Sequence, residues 1–215
     1  MKRSEMSSSM PRQPFTVALN ADVSINVVPN TISINSTDFN ELDGILEAVS
    51  FTPNRYRSGT NILRKQCCFL LPHVSGTYNF GQPQDSIRRE YEEMPNAVKM
   101  ALDIVRRDNK QFDYPVIQAN MYRHGGVGIS PHADNEPFMN PDAPIYSFTF
   151  MECPEATPRP FSVYTMDERR ILDIPLYHGD MLVMRGKMQT MFLHGIERDR
   201  PNKYKKRINL TVRAI

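Results

Sequence analysis

Arg207-Ile208-Asn209-Leu210-Thr211-Val212-Arg213 is the clearest structural signal in this chain. Polar and aliphatic residues alternate through it without a break, which is the period of a β-strand. Arg207, Asn209, Thr211 and Arg213 share one face, and Ile208, Leu210 and Val212 share the other. A strand with one side in water would show the same alternation. Here, however, the polar face carries two guanidinium groups, an amide and a hydroxyl, and no acid. Such a row of unbalanced donors suits an anion, because a guanidinium binds a carboxylate through paired hydrogen bonds. A dicarboxylate could bridge from Arg207 toward Arg213. Asn120 and Tyr122 repeat the device on one face of a strand read over Val116 to Tyr122.

Working outward, further strands are expected at Ile145 to Met151, Phe161 to Met166, Met181 to Met184 and Gln189 to Leu193. Turn signals separate them: Gly125-Gly126, Asn140-Pro141, Pro158, His178-Gly179-Asp180, Arg185-Gly186 and Pro201-Asn202. Phe15 to Ile34 adds a strand or two around Pro29-Asn30. Helices fall earlier. Leu42, Ile45, Leu46 and Val49 recur at helical spacing, so Asp38 to Val49 is an amphipathic helix capped by Ser36 or Thr37. Val98, Ala101, Leu102 and Val105 mark a second helix over Glu93 to Arg107. Many short strands after a helical segment predict an α+β chain with a β-sandwich or jelly-roll core. Residues 1–14 are expected to form a mobile tail. Residues 15–112 carry the helices, and 113–215 form the core of the same domain.

His132-Ala133-Asp134 supplies two metal-ligand types two residues apart, on one side of an extended segment. His194, 62 residues later, ends the apolar run Met191-Phe192-Leu193 and precedes Gly195. Two histidines and a carboxylate can hold Fe(II) and leave positions open, and the lack of a thiolate ligand argues against structural zinc. A second H-x-D, His178-Gly179-Asp180, leads straight into an apolar strand and is read as a turn. His73 and His124 have no partner at useful spacing and are read as surface or loop residues.

The chain has 215 residues and a net charge of +2, which permits a nucleic-acid partner without demanding one. Arg198, Arg200, Lys203, Lys205 and Lys206 cluster just before Arg207. They suit a phosphate backbone as well as a solvated loop. The three cysteines, Cys67, Cys68 and Cys153, make no C-x-x-C pair, so the reading is reduced thiols in an intracellular compartment, cytoplasm and nucleus not distinguished. No stretch has the apolar length of a membrane span.

Taken together, Asn120-x-Tyr122, His132-x-Asp134-x-Glu136, Gln189-x4-His194-Gly195-Ile196 and Arg207-x-Asn209-x-Thr211-x-Arg213 resemble the AlkB-type Fe(II)/2-oxoglutarate-dependent dioxygenases. The resemblance is strong from Ile117 to Arg213. It extends more loosely to Leu63-Arg64-Lys65-Gln66 and Thr77-Tyr78-Asn79-Phe80, which look like the family's nucleotide-recognition lid. It implies a double-stranded β-helix core in which His132, Asp134 and His194 bind Fe(II). It implies that Arg207 and Tyr122 hold the distal carboxylate of 2-oxoglutarate, with Asn120, Asn209 and Arg213 near its other end. Glu136 stands where the family meets the damaged base, and Arg64, Tyr78 and Phe80 would complete the substrate side. Ser147-Phe148-Thr149-Phe150-Met151 stands where the family has S-x-S-x-G, without the glycine. Arg159-Pro160-Phe161 only roughly fits the family's R-x-F.

The implied reaction is oxidative demethylation of N-methylated bases such as 1-methyladenine and 3-methylcytosine in DNA or RNA, with 2-oxoglutarate and O2 consumed. Formaldehyde, succinate and CO2 would be released. The implied partner is methylated single-stranded nucleic acid, met by a monomer that needs no membrane. Two alternatives stand beside it: an oxygenase of the same chemistry acting on a protein or small molecule, and a binding module without catalysis.

Overall fold

The computed structural model describes residues 12–49, 64–74 and 86–215. In chain order the elements are β1 (Phe15–Asn20), β2 (Val23–Val28), α1 (Ser36–Ala48), β3 (Lys65–Leu70), β4 (Ser86–Arg88), α2 (Asn96–Asp108), β5 (Val116–Tyr122), β6 (Ile129–His132), β7 (Ile145–Met151), β8 (Arg159–Tyr164), β9 (Arg170–Leu176), β10 (Met181–Gly186), α3 (Met188–Met191), β11 (Leu193–Ile196) and β12 (Arg207–Arg213). The strands make an eight-stranded sheet, β1-β2-β10-β7-β12-β5-β3-β4, and a four-stranded sheet, β6-β11-β8-β9. The large sheet draws β1 to β4 from the helical half of the chain and pairs them with the later strands.

The alternation in β12 explains the layering. Ile208, Leu210 and Val212 join Ile117, Ala119 and Met121 of β5 and Tyr146, Phe148 and Phe150 of β7 on the outer face. That face is covered by α1, through Phe39, Leu42 and Leu46, and by α2, through Val98, Ala101, Leu102 and Val105. Each of these side chains is removed from water, at roughly 1.5–3 kcal/mol per large aliphatic group. The inner face packs on the small sheet: Ile25, Val27, Leu182 and Met184 meet Phe161, Val163, Ile174 and Ile196. A polar strip interrupts this apolar layer, and β12 lies at its centre.

Several boundaries differ from expectation. Helix α1 begins at Ser36, and its cap is Asn35: the Asn35 side chain accepts from the Asp38 N–H while Asp38 accepts from the Asn35 N–H, both at 3.0 Å. This reciprocal pair occupies two of the orphan donors at the helix start, which Ser36 or Thr37 would not do from inside the helix. Asn35→Ala is expected to cost about 1 kcal/mol, visible as a lower melting temperature with an unchanged site. Met188–Met191 is a single helical turn, where a strand over Gln189 to Leu193 was expected. Gly186, at φ +67°, turns the chain out of β10, and the Lys187 carbonyl then takes the Thr190 and Met191 N–H groups. The strand resumes at Leu193. The expected Phe161 to Met166 strand starts earlier, at Arg159, and ends at Tyr164.

Arg12, in the stretch expected to form a tail, bonds both oxygens of buried Asp180, at 2.6 and 2.7 Å. Gly179, at φ +79°, confirms His178-Gly179-Asp180 as a turn. Thr77 to Phe80, including the candidate residues Tyr78 and Phe80, lies outside the described residues. Among the described residues no helix is long and apolar enough to cross a membrane.

Candidate metal and anion centre

Strand pairing brings the two histidines together. β6 and β11 are antiparallel neighbours in which His132 stands directly opposite His194, so their side chains rise on the same side of the sheet. The ring centroids are 4.4 Å apart. Asp134, two residues past the end of β6, places its carboxylate between them. Its Oδ1 is 3.8 Å from His132 Nε2, and its Oδ2 is 3.8 Å from His194 Nε2. All three potential ligand atoms lie within 4.8 Å of one another. Donors this close could close on a single metal ion with small side-chain movements. Gly195 is required beside His194, because a Cβ there would stand 2.8 Å from the Ile129 carbonyl oxygen on β6.

Each member is fixed from behind. His132 Nδ1 lies 2.9 Å from the Ser130 carbonyl, which as the N–H tautomer leaves Nε2 as the lone-pair donor. The His194 ring stacks on Phe161 at 5.2 Å. The Asp134 backbone N–H donates to Gln189 Oε1 at 2.9 Å, and its Oδ1 accepts from Arg213 Nη2 at 2.6 Å. Burial lowers the pKa of both histidines, taking His194 to about 3, with further lowering from its neighbour. Burial opposes ionisation of Asp134, but the charge and hydrogen bond of Arg213 outweigh it and hold the carboxyl well below its ordinary range. At neutral pH the set is therefore two neutral imidazoles and one carboxylate, the protonation states a metal requires.

The polar strip of the large sheet runs away from this triad. Asn209 pairs across to Asn120 on β5 and Thr149 on β7, and Arg207 to Tyr122 and Met151. None of it faces water: Arg207, Asn209, Thr211 and Arg213 are all under 8% exposed, which removes the solvent-facing reading of β12. Much of the strip is internally satisfied. Asn209 Nδ2 donates to Ser147 Oγ, 2.7 Å, and to the Phe148 carbonyl, 3.0 Å. Thr211 donates to Asn209, and Arg213 Nη1 donates to Gln118 at 2.7 Å. The Arg207 Nη2 donates to Thr149 Oγ1 at 2.9 Å, so Ser147 and Thr149 supply hydroxyls without a following glycine.

What remains unsatisfied is specific. Arg207 Nε and Nη1 and Asn120 Oδ1 are buried with no protein partner. Burial pulls the Arg207 pKa down to about 10, so it stays charged at neutral pH. A buried cation whose donors point at no protein acceptor is costly unless a ligand completes it. A carboxylate does so with the bidentate geometry a guanidinium favours. The donor set therefore fits a 2-oxo dicarboxylate lying between Arg207 and the triad.

A family model described as the 2OG-Fe(II) oxygenase superfamily matches residues 25–213. The chain belongs to that superfamily. It is 27% identical over 187 residues to the human alpha-ketoglutarate-dependent dioxygenase alkB homolog 3, covering 83% of this chain and 63% of that one. The Rattus norvegicus alkB homolog 3 is 26% identical, with 83% and 61% covered. The oxygenase thus spans a little over three fifths of the length of these relatives. The solved structure of OsALKBH1 superposes with a TM-score of 0.56 at 16% identity, covering 89% of this chain and 96% of that one. A Trichoplax adhaerens prolyl hydroxylase, solved with a hypoxia inducible factor oxygen degradation domain peptide fragment, gives a TM-score of 0.50 at 12% identity, covering 89% and 83%. The fold is the double-stranded β-helix that the resemblance implied, and the superfamily implies Fe(II), 2-oxoglutarate and O2, which the His132, Asp134 and His194 donor set fits.

Of the candidate residues, His132, Asp134, His194, Asn120, Tyr122, Arg207, Asn209 and Arg213 converge on this one inner face. Glu136 lies beside it, two residues past Asp134. It is half-buried, and its Oε2 is buried without a protein partner. Burial raises its pKa against the opposing pull of Arg213. Arg64 is 7% exposed, bonds Gln66 through Nη2 at 2.7 Å, and keeps Nε and Nη1 unpartnered. Its charge is felt at His132. Three contributors went unseen in the sequence reading: Gln189 as the anchor of Asp134, Gln118 as a partner of Arg213, and Arg159 as a buried cation. Gln118 was legible, since it shares the strand face of Asn120 and Tyr122.

Proposed function

We propose that this oxygenase removes N-methyl groups oxidatively from bases such as 1-methyladenine and 3-methylcytosine in DNA or RNA. Formaldehyde, succinate and CO2 are the products. The observation that carries the reading is Glu136: a half-buried carboxylate beside the triad, with one oxygen lacking a partner and its ionisation awaiting a cation. N1-methylation of adenine and N3-methylation of cytosine each make the base cationic, and a positive ring against Glu136 supplies that missing charge.

In this reading His132, Asp134 and His194 hold Fe(II). Bound iron with O2 and 2-oxoglutarate supplies the oxidising power that converts an N-methyl to an N-hydroxymethyl group, which then releases formaldehyde. The chain's own work is placement. Arg207 and Tyr122 hold the distal carboxylate of 2-oxoglutarate. Arg213, Asn120 and Asn209 line the path to its other end, Arg213 also keeping Asp134 ionised. Glu136 orients the base. Arg64, a buried guanidinium with two open donors on the same side, takes a base edge or a phosphate. The base leaves its stack to reach this depth, so single-stranded substrate is favoured. Lys203 pairs with Asp199 and Lys206 with Asp43, which leaves exposed Arg198, Arg200 and Lys205 as the backbone-tracking cations of that loop.

A panel of methylated and unmodified DNA and RNA oligomers, read by formaldehyde and succinate release, tests this. Release that rises with methylated oligomers and not with unmodified ones is expected. Equal release with both, or release only with a peptide or small molecule, assigns the alternative substrate class. Glu136→Gln is expected to lower kcat/KM for 1-methyladenine about tenfold, while an uncharged N-methylated base such as N6-methyladenine is affected little. Equal loss for both bases would remove Glu136 from charge recognition.

A further inference from the structure

Arg159, the first residue of β8, is only 3% exposed. Its guanidinium donates to three backbone carbonyls, His124 at 3.3 Å, Gly125 at 3.1 Å and Glu197 at 2.6 Å. These acceptors carry no formal charge, and its Nε has no protein partner. The group lies over two rings, Tyr122 at 5.4 Å and Tyr204 at 5.3 Å. Arg207 lies over the same Tyr122 ring at 5.5 Å, which puts the two cationic carbons within about 11 Å of each other. Each hydrogen bond recorded for Arg159 and Arg207 goes to a neutral acceptor. Two like charges buried around one phenol repel, and burial lowers the pKa of both. An anion between or beside them offsets both penalties.

The carbonyls also matter mechanically. They belong to the turn that follows β5, immediately after Tyr122, and to the exit of β11. Gly125 is pressed against the loop that follows β11: a Cβ there would sit 2.1 Å from the Arg200 carbonyl oxygen. The Gly125 N–H donates to Pro201 O, and the Asp199 N–H donates to Gly125 O at 2.9 Å. Arg159 closes this turn from the other side.

We infer that Arg159 is a positioning residue for the distal carboxylate of 2-oxoglutarate, adding a second buried positive charge beside Arg207 and fixing Tyr122 through the Gly125 turn. The inference rests on the reading that Arg207 holds that carboxylate. Its signature is selectivity: a charge at this place acts on the distal end of the co-substrate and not on its 2-oxo acid end. A unit charge at such range in a buried site is worth about tenfold in the affinity of an anion.

The test is calorimetric titration of the full chain with Mn(II) in place of iron, using 2-oxoglutarate and 2-oxopentanoate, which lacks only the distal carboxylate. Arg159→Met and Arg159→Gln are expected to weaken 2-oxoglutarate at least tenfold and 2-oxopentanoate less than threefold. Arg159→Lys keeps the charge and is expected to hold the ratio of the two affinities within threefold of the parent. Should the neutral variants fail to fold, the lysine variant decides alone by the same ratio. Equal weakening of both ligands, unchanged 2-oxoglutarate binding in a folded neutral variant, or a lysine variant that loses the ratio would each overturn the inference. Arg207→Met separates the two layers. If it leaves 2-oxoglutarate binding intact, the underlying reading fails. If it abolishes binding while Arg159→Gln does not, only the role of Arg159 fails.

Discussion

Asp134→Ala is expected to abolish metal binding and turnover and, separately, to weaken the fold. Loss of one of three ligands leaves two imidazoles, too few to retain a divalent ion at working concentrations, and activity should fall by about a thousandfold or more. The stability effect has a different source. Asp134 Oδ1 sits 2.6 Å from Arg213 Nη2, with both side chains almost fully buried. Removing the carboxylate takes a buried counter-charge away from the guanidinium, a change that costs about 3 kcal/mol in comparable pairs. His194→Ala is the control. It should lose metal as completely but keep the Asp134–Arg213 pair, so its metal-free melting temperature should stay near the parent's. The sign of the pH dependence follows from the depressed folded pKa of Asp134. Its stabilising contribution is complete above the ordinary carboxylate range and is lost as acid protonates the group. Acid denaturation profiles of the parent and Asp134→Ala should therefore converge at low pH. Profiles separated by a constant amount at every pH would contradict the assignment.

The second large effect is at Arg207. Arg207→Met should weaken 2-oxoglutarate binding about a hundredfold, since a buried bidentate charge pair is lost. In the metal-free, ligand-free protein the same change should leave the melting temperature unchanged or raise it. Arg207 is 2% exposed, it donates to Thr149 Oγ1, and two of its nitrogens have no protein partner among the described residues. Methionine of similar length removes a desolvated charge at no loss of packing. A residue that costs stability in the empty protein and carries co-substrate affinity is the mark of a binding group. A fall in both stability and affinity would instead make Arg207 a structural residue. Thermal melts with and without 2-oxoglutarate, combined with calorimetry, separate the two.

The parts of this site that were legible in the sequence are those where one strand writes its own pattern. β12 and β5 alternate strictly, and a row of donors without an acid distinguishes a ligand face from a wet one. His132 and Asp134 are close in sequence and share a segment. What sequence could not show is register. The pairing of His132 with His194 depends on how two four-residue strands align across 62 positions, and Ile129–His132 is too short to announce itself. β9 was missed because Pro175 argues against a strand interior, yet β9 is a sheet edge, where proline is tolerated. β3 was missed for the opposite reason. Cys67-Cys68-Phe69-Leu70 is buried on both faces and shows no alternation. Arg159 sits between Pro158 and Pro160 with no periodic neighbours, so only the folded chain reveals where its charge goes. Gln189 belongs to a helical turn that the apolar run Met191-Phe192-Leu193 disguised as strand.

The role proposed for this triad and arginine strand is removal of a methyl group from a cationic base. The most direct measurement is the mass of a single-stranded oligonucleotide carrying one 1-methyladenine or 3-methylcytosine, after incubation with the full chain, Fe(II), O2 and 2-oxoglutarate. Loss of one methylene unit from the oligonucleotide, matched by one formaldehyde and accompanied by succinate, and absent with His194→Ala, is expected. An unchanged oligonucleotide while 2-oxoglutarate is bound and consumed in the presence of another substrate class would contradict it.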